Sequence, residues 1–118
     1  MDRRRLIEEF NGILVWLRDH SHLKYSGNPE DYEDRVKTAA GEFTALLRRE
    51  TGVKLPQDAS MVPSLDDARG ASLDVMRGLA GRTSRKYRRA ANEAAADSPR
   101  RAFCERSAEL WEQARDRL

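Results

Sequence analysis

The chain has 118 residues, of which 39% are hydrophobic and 36% charged, with a formal net charge of +2. That size suits a single domain with one modest core, and the longest strongly apolar run, Ile13 to Leu17, is far too short to span a membrane. The lone cysteine, Cys104, excludes an intrachain disulfide, so a reducing, cytoplasmic setting is expected.

The opening stretch MDRRRLIEEF is basic, but Glu8 and Glu9 interrupt the apolar run that a secretory signal requires. Leu6, Phe10, Ile13, Leu14 and Leu17 recur at three- and four-residue steps, which predicts a first helix from about Asp2 to Arg18. The segment HSHLKYSGNP reads as a loop. A second helix follows, with Asn28 as cap, Pro29 at its first position, and Glu30 and Asp31 at the positive end of its dipole. Its inward stripe is Tyr32, Val36, Ala39, Ala40, Phe43, Leu46 and Leu47, and Gly52 supplies the left-handed residue that ends it.

Residues 52–63 contain two prolines and no helical period, which predicts a long connector and a candidate mobile segment. Ser64 with Asp67 resembles a capping box opening a third helix, with Leu65, Ala68, Ser72, Val75 and Leu79 inward. Gly78 and Gly81 weaken that helix, yet Thr83, Tyr87, Ala90 and Ala94 continue its stripe to about Ala96. The reading is therefore one long helix, or two that break near Gly81. Ser98 caps a last helix from Pro99, with Phe103, Leu110, Trp111, Ala114 and Leu118 as its apolar side. The expected architecture is all-α, an irregular bundle of four to five helices in one domain over residues 1–118.

Charge is unevenly distributed. Residues 1–56 hold 10 basic and 10 acidic side chains, whereas residues 77–92 hold Arg77, Arg82, Arg85, Lys86, Arg88 and Arg89 with no acid. On a helical projection with Arg77 at zero, these six fall between roughly 0° and 180°, and Leu79, Thr83, Tyr87 and the alanines fall opposite. An ordinary wet face mixes signs, as the second helix does with Glu33, Asp34, Arg35, Lys37 and Glu42. Six like charges point to a surface that meets a polyanion. The competing readings are a solvated face, and pairing with acids of a protein, either a partner or this chain's own Asp58, Asp66 and Asp67.

Two helix starts add to the pattern. Helix N-termini favour acids, yet Arg3, Arg4 and Arg5 fill the first turn of the first helix, and Arg100 and Arg101 that of the last. An anion bound at either end would reverse that disadvantage. Of the 22 basic residues 18 are Arg, whose planar fork matches phosphate. Exposed aromatic residues are sparse among them, so contact with the nucleic-acid backbone and little sequence preference is the expected mode.

No catalytic constellation emerges, so the expectation is a protein that is not an enzyme, with no cofactor and no metal. His20 and His22 stand two residues apart without a second ligand pair. Cys104 has no evident base and reads as a small packing residue. Asp66 and Asp67 sit at a predicted helix start, where capping explains them.

With GRTSRKYRR and SPRR on an all-helical, cysteine-poor chain of this size, the protein resembles the helical small subunits of CRISPR effector complexes. The resemblance lies at the level of fold. It implies a non-catalytic, bacterial subunit that holds nucleic acid by its backbone within a larger ribonucleoprotein, beside other protein subunits. The alternative is a helical adaptor or regulator whose Arg face pairs with an acidic protein.

Overall fold

The structure, a computed structural model, describes residues 2–21 and 29–118. Among them are four α-helices and two 3₁₀ turns, with no strand: α1 (Arg3–Asp19), α2 (Pro29–Thr51), the turns Ala59–Met61 and Leu65–Asp67, α3 (Leu73–Glu93) and α4 (Pro99–Arg117). The predicted cap Asn28 and the second imidazole, His22, lie outside the described residues. No helix of the described residues is long and apolar enough to cross a membrane.

The three- and four-residue spacing of apolar side chains decides which faces turn inward. In α1, Leu6, Phe10, Leu14 and Leu17 are buried, and in α2 the buried set includes Tyr32, Ala39, Ala40, Phe43, Leu46 and Leu47. Each fully buried large side chain contributes about 1.5–3 kcal/mol. An aromatic relay ties the layers together: Phe10 lies 5.4 Å from Phe43, and Phe43 stacks at 6.4 Å on Trp111 of α4. The molecule measures 45 × 37 × 19 Å, so it is about two helix diameters thick. It pairs α1 with α2 and α3 with α4, and the α3–α4 pairing is the most extensive.

Gly52 ends α2 with φ 72°, its N–H donating to the Arg48 carbonyl at 3.1 Å, as its position predicts. The connector beyond it is longer than expected, running from Gly52 to Ser72, and it is anchored rather than loose. Val53, Leu55, Val62 and Leu65 are all buried in the common core.

The third helix begins later than the Ser64–Asp67 pattern suggests. The Ser64 hydroxyl bonds to the Asp66 carboxylate, which also accepts from Tyr32 of α2. Leu65 is buried, and Gly70 turns the chain with φ 85°. These anchors hold residues 65–67 in a short 3₁₀ turn. Ser72 then caps α3, its hydroxyl oxygen accepting from the Val75 N–H at 3.1 Å. From there α3 runs unbroken through Gly78 and Gly81 and ends at Glu93.

The last helix is capped by Ser98, which accepts from the Arg101 N–H at 3.1 Å. Its buried face includes the expected Trp111, Ala114 and Leu118 but turns away from Phe103. Cys104, Ser107, Ala108, Trp111 and Ala114 point inward, while Phe103 is 49% exposed and touches Tyr87 edge-on at 6.2 Å. Small residues make the seam because α3 offers Ala80, Gly81, Ser84 and Ala91 across from them, all buried. The two backbones approach closely enough for the Ser84 hydroxyl to donate to the Ala108 carbonyl at 3.0 Å.

Candidate functional site

The seam with α4 divides the basic half of α3. On the projection with Arg77 at zero, the buried Gly81 and Ser84 fall at roughly 40° and 340°, which is the sector α4 covers. Arg77 and Arg88, at roughly 0° and 20°, fall within that sector, one turn before Gly81 and one turn after Ser84. Both are held by groups of this chain. Arg77 pairs with Asp74 at 3.1 Å and donates to the main-chain oxygen of Leu118 at 2.7 Å. Arg88 donates to Oε1 of Glu112 from Nε at 2.9 Å and from Nη2 at 2.6 Å.

The other four cations form a separate group. Arg85, Arg89, Arg82 and Lys86 fall at roughly 80°, 120°, 140° and 180°, an arc about 100° wide. They occupy positions i, i+3, i+4 and i+7, spanning about 10 Å of helix axis. All four are exposed, and none has an ion-pair partner among the described residues. Gly78 leaves the turn before them without a side chain, and Glu93 closes the arc one turn after Arg89. On a bare helix, like charges at these spacings repel by about 0.2–0.5 kcal/mol per pair.

The arginines at the helix starts are arranged differently. The Asp2 carboxylate accepts from the Arg5 N–H at 3.2 Å, so α1 already has an acid at its positive end. Arg4 lies 3.4 Å from Glu8 and Arg5 3.8 Å from Glu9. At α4, Arg101 pairs with Glu105 at 3.1 Å. Arg3 and Arg100 are exposed, and no partner for either is seen among the described residues. The expected anion sites at these two helix ends therefore meet termini that a side chain of the protein already caps. α1 packs chiefly on α2 and the second 3₁₀ turn, so Arg3, Arg4 and Arg5 belong to the other helix pair from the α3 arc.

Internal pairing thus uses Glu112 and Asp74 rather than the expected Asp58, Asp66 and Asp67. Asp58 caps the first 3₁₀ turn by accepting from the Ser60 N–H at 2.9 Å. The Asp74–Arg77 pair is visible as an i, i+3 spacing, but Glu112 lies 24 residues from Arg88 and no local signal links them.

The remaining titratable groups offer less. His20 is bound through Nδ1 to the Trp16 carbonyl oxygen at 2.7 Å and packs on the Trp16 ring. Cys104 is buried at the α3–α4 seam. Burial, then the nearby Asp58 and Cys104, pushes the Tyr87 phenol up to about 12. No cluster of three or more His, Cys, Asp or Glu side chains suited to a metal ion occurs among the described residues.

No protein-family model matches this chain, and no curated protein or solved structure matches it.

Proposed function

We propose that the protein is a non-catalytic helical subunit of a larger nucleoprotein or ribonucleoprotein assembly, gripping phosphates of the nucleic-acid backbone with α3. The observation that carries this reading is the arc of Arg82, Arg85, Lys86 and Arg89, four exposed cations in two turns without a carboxylate partner among the described residues. Their mutual repulsion is relieved by a polyanion and released counterions add to the affinity. The guanidinium fork suits phosphate oxygens. Stacking on bases has little support, because Phe103 stands on α4 beside Tyr87, and Tyr87 is on the packed side of α3. Backbone contact with weak sequence preference follows. Membership of an assembly like the CRISPR effector complexes, whose small subunits the chain resembles, is the corresponding biological proposal.

Fluorescence anisotropy with labelled single-stranded RNA, single-stranded DNA and duplex probes tests it. Four neutralised phosphates give a slope of log affinity against log salt of about −2.8 for single strands and −3.6 for duplex DNA. Affinity then falls about 50- to 150-fold between 50 and 200 mM salt. Changing Arg82, Arg85, Lys86 and Arg89 to Glu should abolish binding, while Arg106→Glu on α4 should leave it in place. Absence of binding at low salt, or binding indifferent to the fourfold change, overturns the proposal. A nuclease-resistant complex with an acidic protein assigns the arc to that partner instead.

A further inference from the structure

The pair α1–α2 leaves a second surface uncovered, away from the cationic arc. Between them runs an open groove of about 630 Å³. From α1 it is lined by Glu9, Gly12, Ile13 and Trp16, and from α2 by Glu42, Ala45, Leu46 and Arg49. Both sets are i, i+3, i+4, i+7 positions, the spacing by which one helix face receives another. The two helices run in opposite directions, since Arg49 pairs with Glu9 across the groove. Gly12 and Ala45 make its middle shallow-walled, and a Cβ added at Gly12 would meet nothing within 4 Å. Val15, three residues from Gly12, is one of two large exposed hydrophobic side chains among the described residues. Trp16 is half-buried, with the Arg35 guanidinium 5.9 Å from its ring.

We infer that this groove is the interface of a two-fold dimer of this chain. Charge placement selects the occupant. Arg49 stands at one end of the groove, and Glu42, seven residues earlier in α2, stands at the other with no partner among the described residues. Their axial separation is about 10 Å. A two-fold axis crossing the groove at Gly12 and Ala45, perpendicular to the helices, lays α2 antiparallel on its copy. Glu42 of each protomer then meets Arg49 of its partner, twice, while Ile13, Ala45 and Leu46 close over one another. Such an isologous contact is self-complementary and closes on itself, so it makes a dimer and does not propagate as a filament. Two helix widths along the length of α1 give about 500 Å² per copy, below the roughly 800 Å² of a standard interface. The dimer is therefore weak, with a dissociation constant of roughly micromolar or higher.

Sedimentation equilibrium of the full chain, in a concentration series reaching the millimolar range, tests the inference. The protein should shift from monomer to dimer without larger species. Ala45→Arg, at an exposed position, should weaken the dimer at least about tenfold with helicity unchanged by circular dichroism. Glu42→Arg and Arg49→Glu should each weaken it about tenfold, and the double change should restore it to within about threefold of the parent. A monomer at every concentration overturns the inference and leaves the groove to a helix of another protein. A dimer indifferent to Ala45→Arg, or a double change no better than the singles, overturns it as well.

Discussion

Arg88 and Glu112 join α3 to α4 through a single carboxylate oxygen. Two guanidinium nitrogens of Arg88 reach Oε1, and the Ser84 hydroxyl approaches the same atom at 3.3 Å. The bond is one of two, with that of Arg77 to Asp74, that withdraw cations from the basic half of α3. Glu112→Gln keeps the oxygen but removes the charge, so Arg88 becomes available to phosphate. Nucleic-acid affinity should rise and the salt slope should steepen by about 0.7–0.9. Both partners are partly exposed, so the loss of stability should be modest, about 0.5–1 kcal/mol in urea titrations.

Replacing one member of the arc should move stability and binding in opposite directions. Glu at position 85 would face Arg82 three residues before it and Arg89 four residues after it. Repulsion becomes attraction at two helical spacings, worth about 0.2–0.5 kcal/mol each. Arg85→Glu should therefore raise the thermal midpoint by a few degrees, while binding to a labelled oligonucleotide weakens. A midpoint that falls would show that Arg85 has a structural role that its exposed position gives no hint of.

Gly78 provides a control beside the arc. It is exposed in the interior of α3, and a Cβ built there meets nothing within 4 Å. Gly78→Ala should stabilise the fold by about 0.5–1 kcal/mol, because the unfolded chain loses freedom and no contact is crowded. Oligonucleotide affinity should be unchanged.

Tyr87 predicts alkaline behaviour. Its phenol is pushed up to about 12 from an ordinary value near 10, chiefly by burial. Below pH 10 the group is neutral in both folded and unfolded states, so its stabilising effect is complete there. As pH rises from 10 towards 12 the unfolded chain ionises first, and stability falls. Denaturant titrations across that window should show the decline, and Tyr87→Phe should flatten it. The variant itself should lose little stability at neutral pH, since the phenol's contact with the Asp58 carbonyl oxygen is long, 3.5 Å.

What the sequence reveals about this protein follows from how local the controlling forces are. The inward faces of α1 and α2 are legible because Leu6, Phe10, Leu14, Phe43 and Leu47 are large and regularly spaced. Ser98 and Gly52 announce helix ends because a cap acts within three or four residues. The face of α4 is harder to read. Phe103 draws attention by its size, but Cys104, Ser107 and Ala108 pack inward because a close helix seam rewards smallness. The start of α3 is misleading for a different reason. Ser64 and Asp66 carry capping chemistry, but Asp66 is engaged by Tyr32, 34 residues earlier in the chain. Six basic residues on one half of α3 are visible as a pattern. Their division into two that are held and four that are free depends on where α4 lands, and the spacing of residues 77–92 holds no record of that.

The stretch from Gly52 to Ser72 has a consequence for how the molecule comes apart. It buries Val53, Leu55, Val62 and Leu65 in the one core that all four helices share, and its first 3₁₀ turn touches both α2 and α3, so it acts as a shared wedge rather than a tether. Neither pair can open without exposing apolar surface of the other, and unfolding should be a single all-or-none event. A protease that cuts within this segment must wait for that event, so the rate of nicking there should measure the stability of the whole domain.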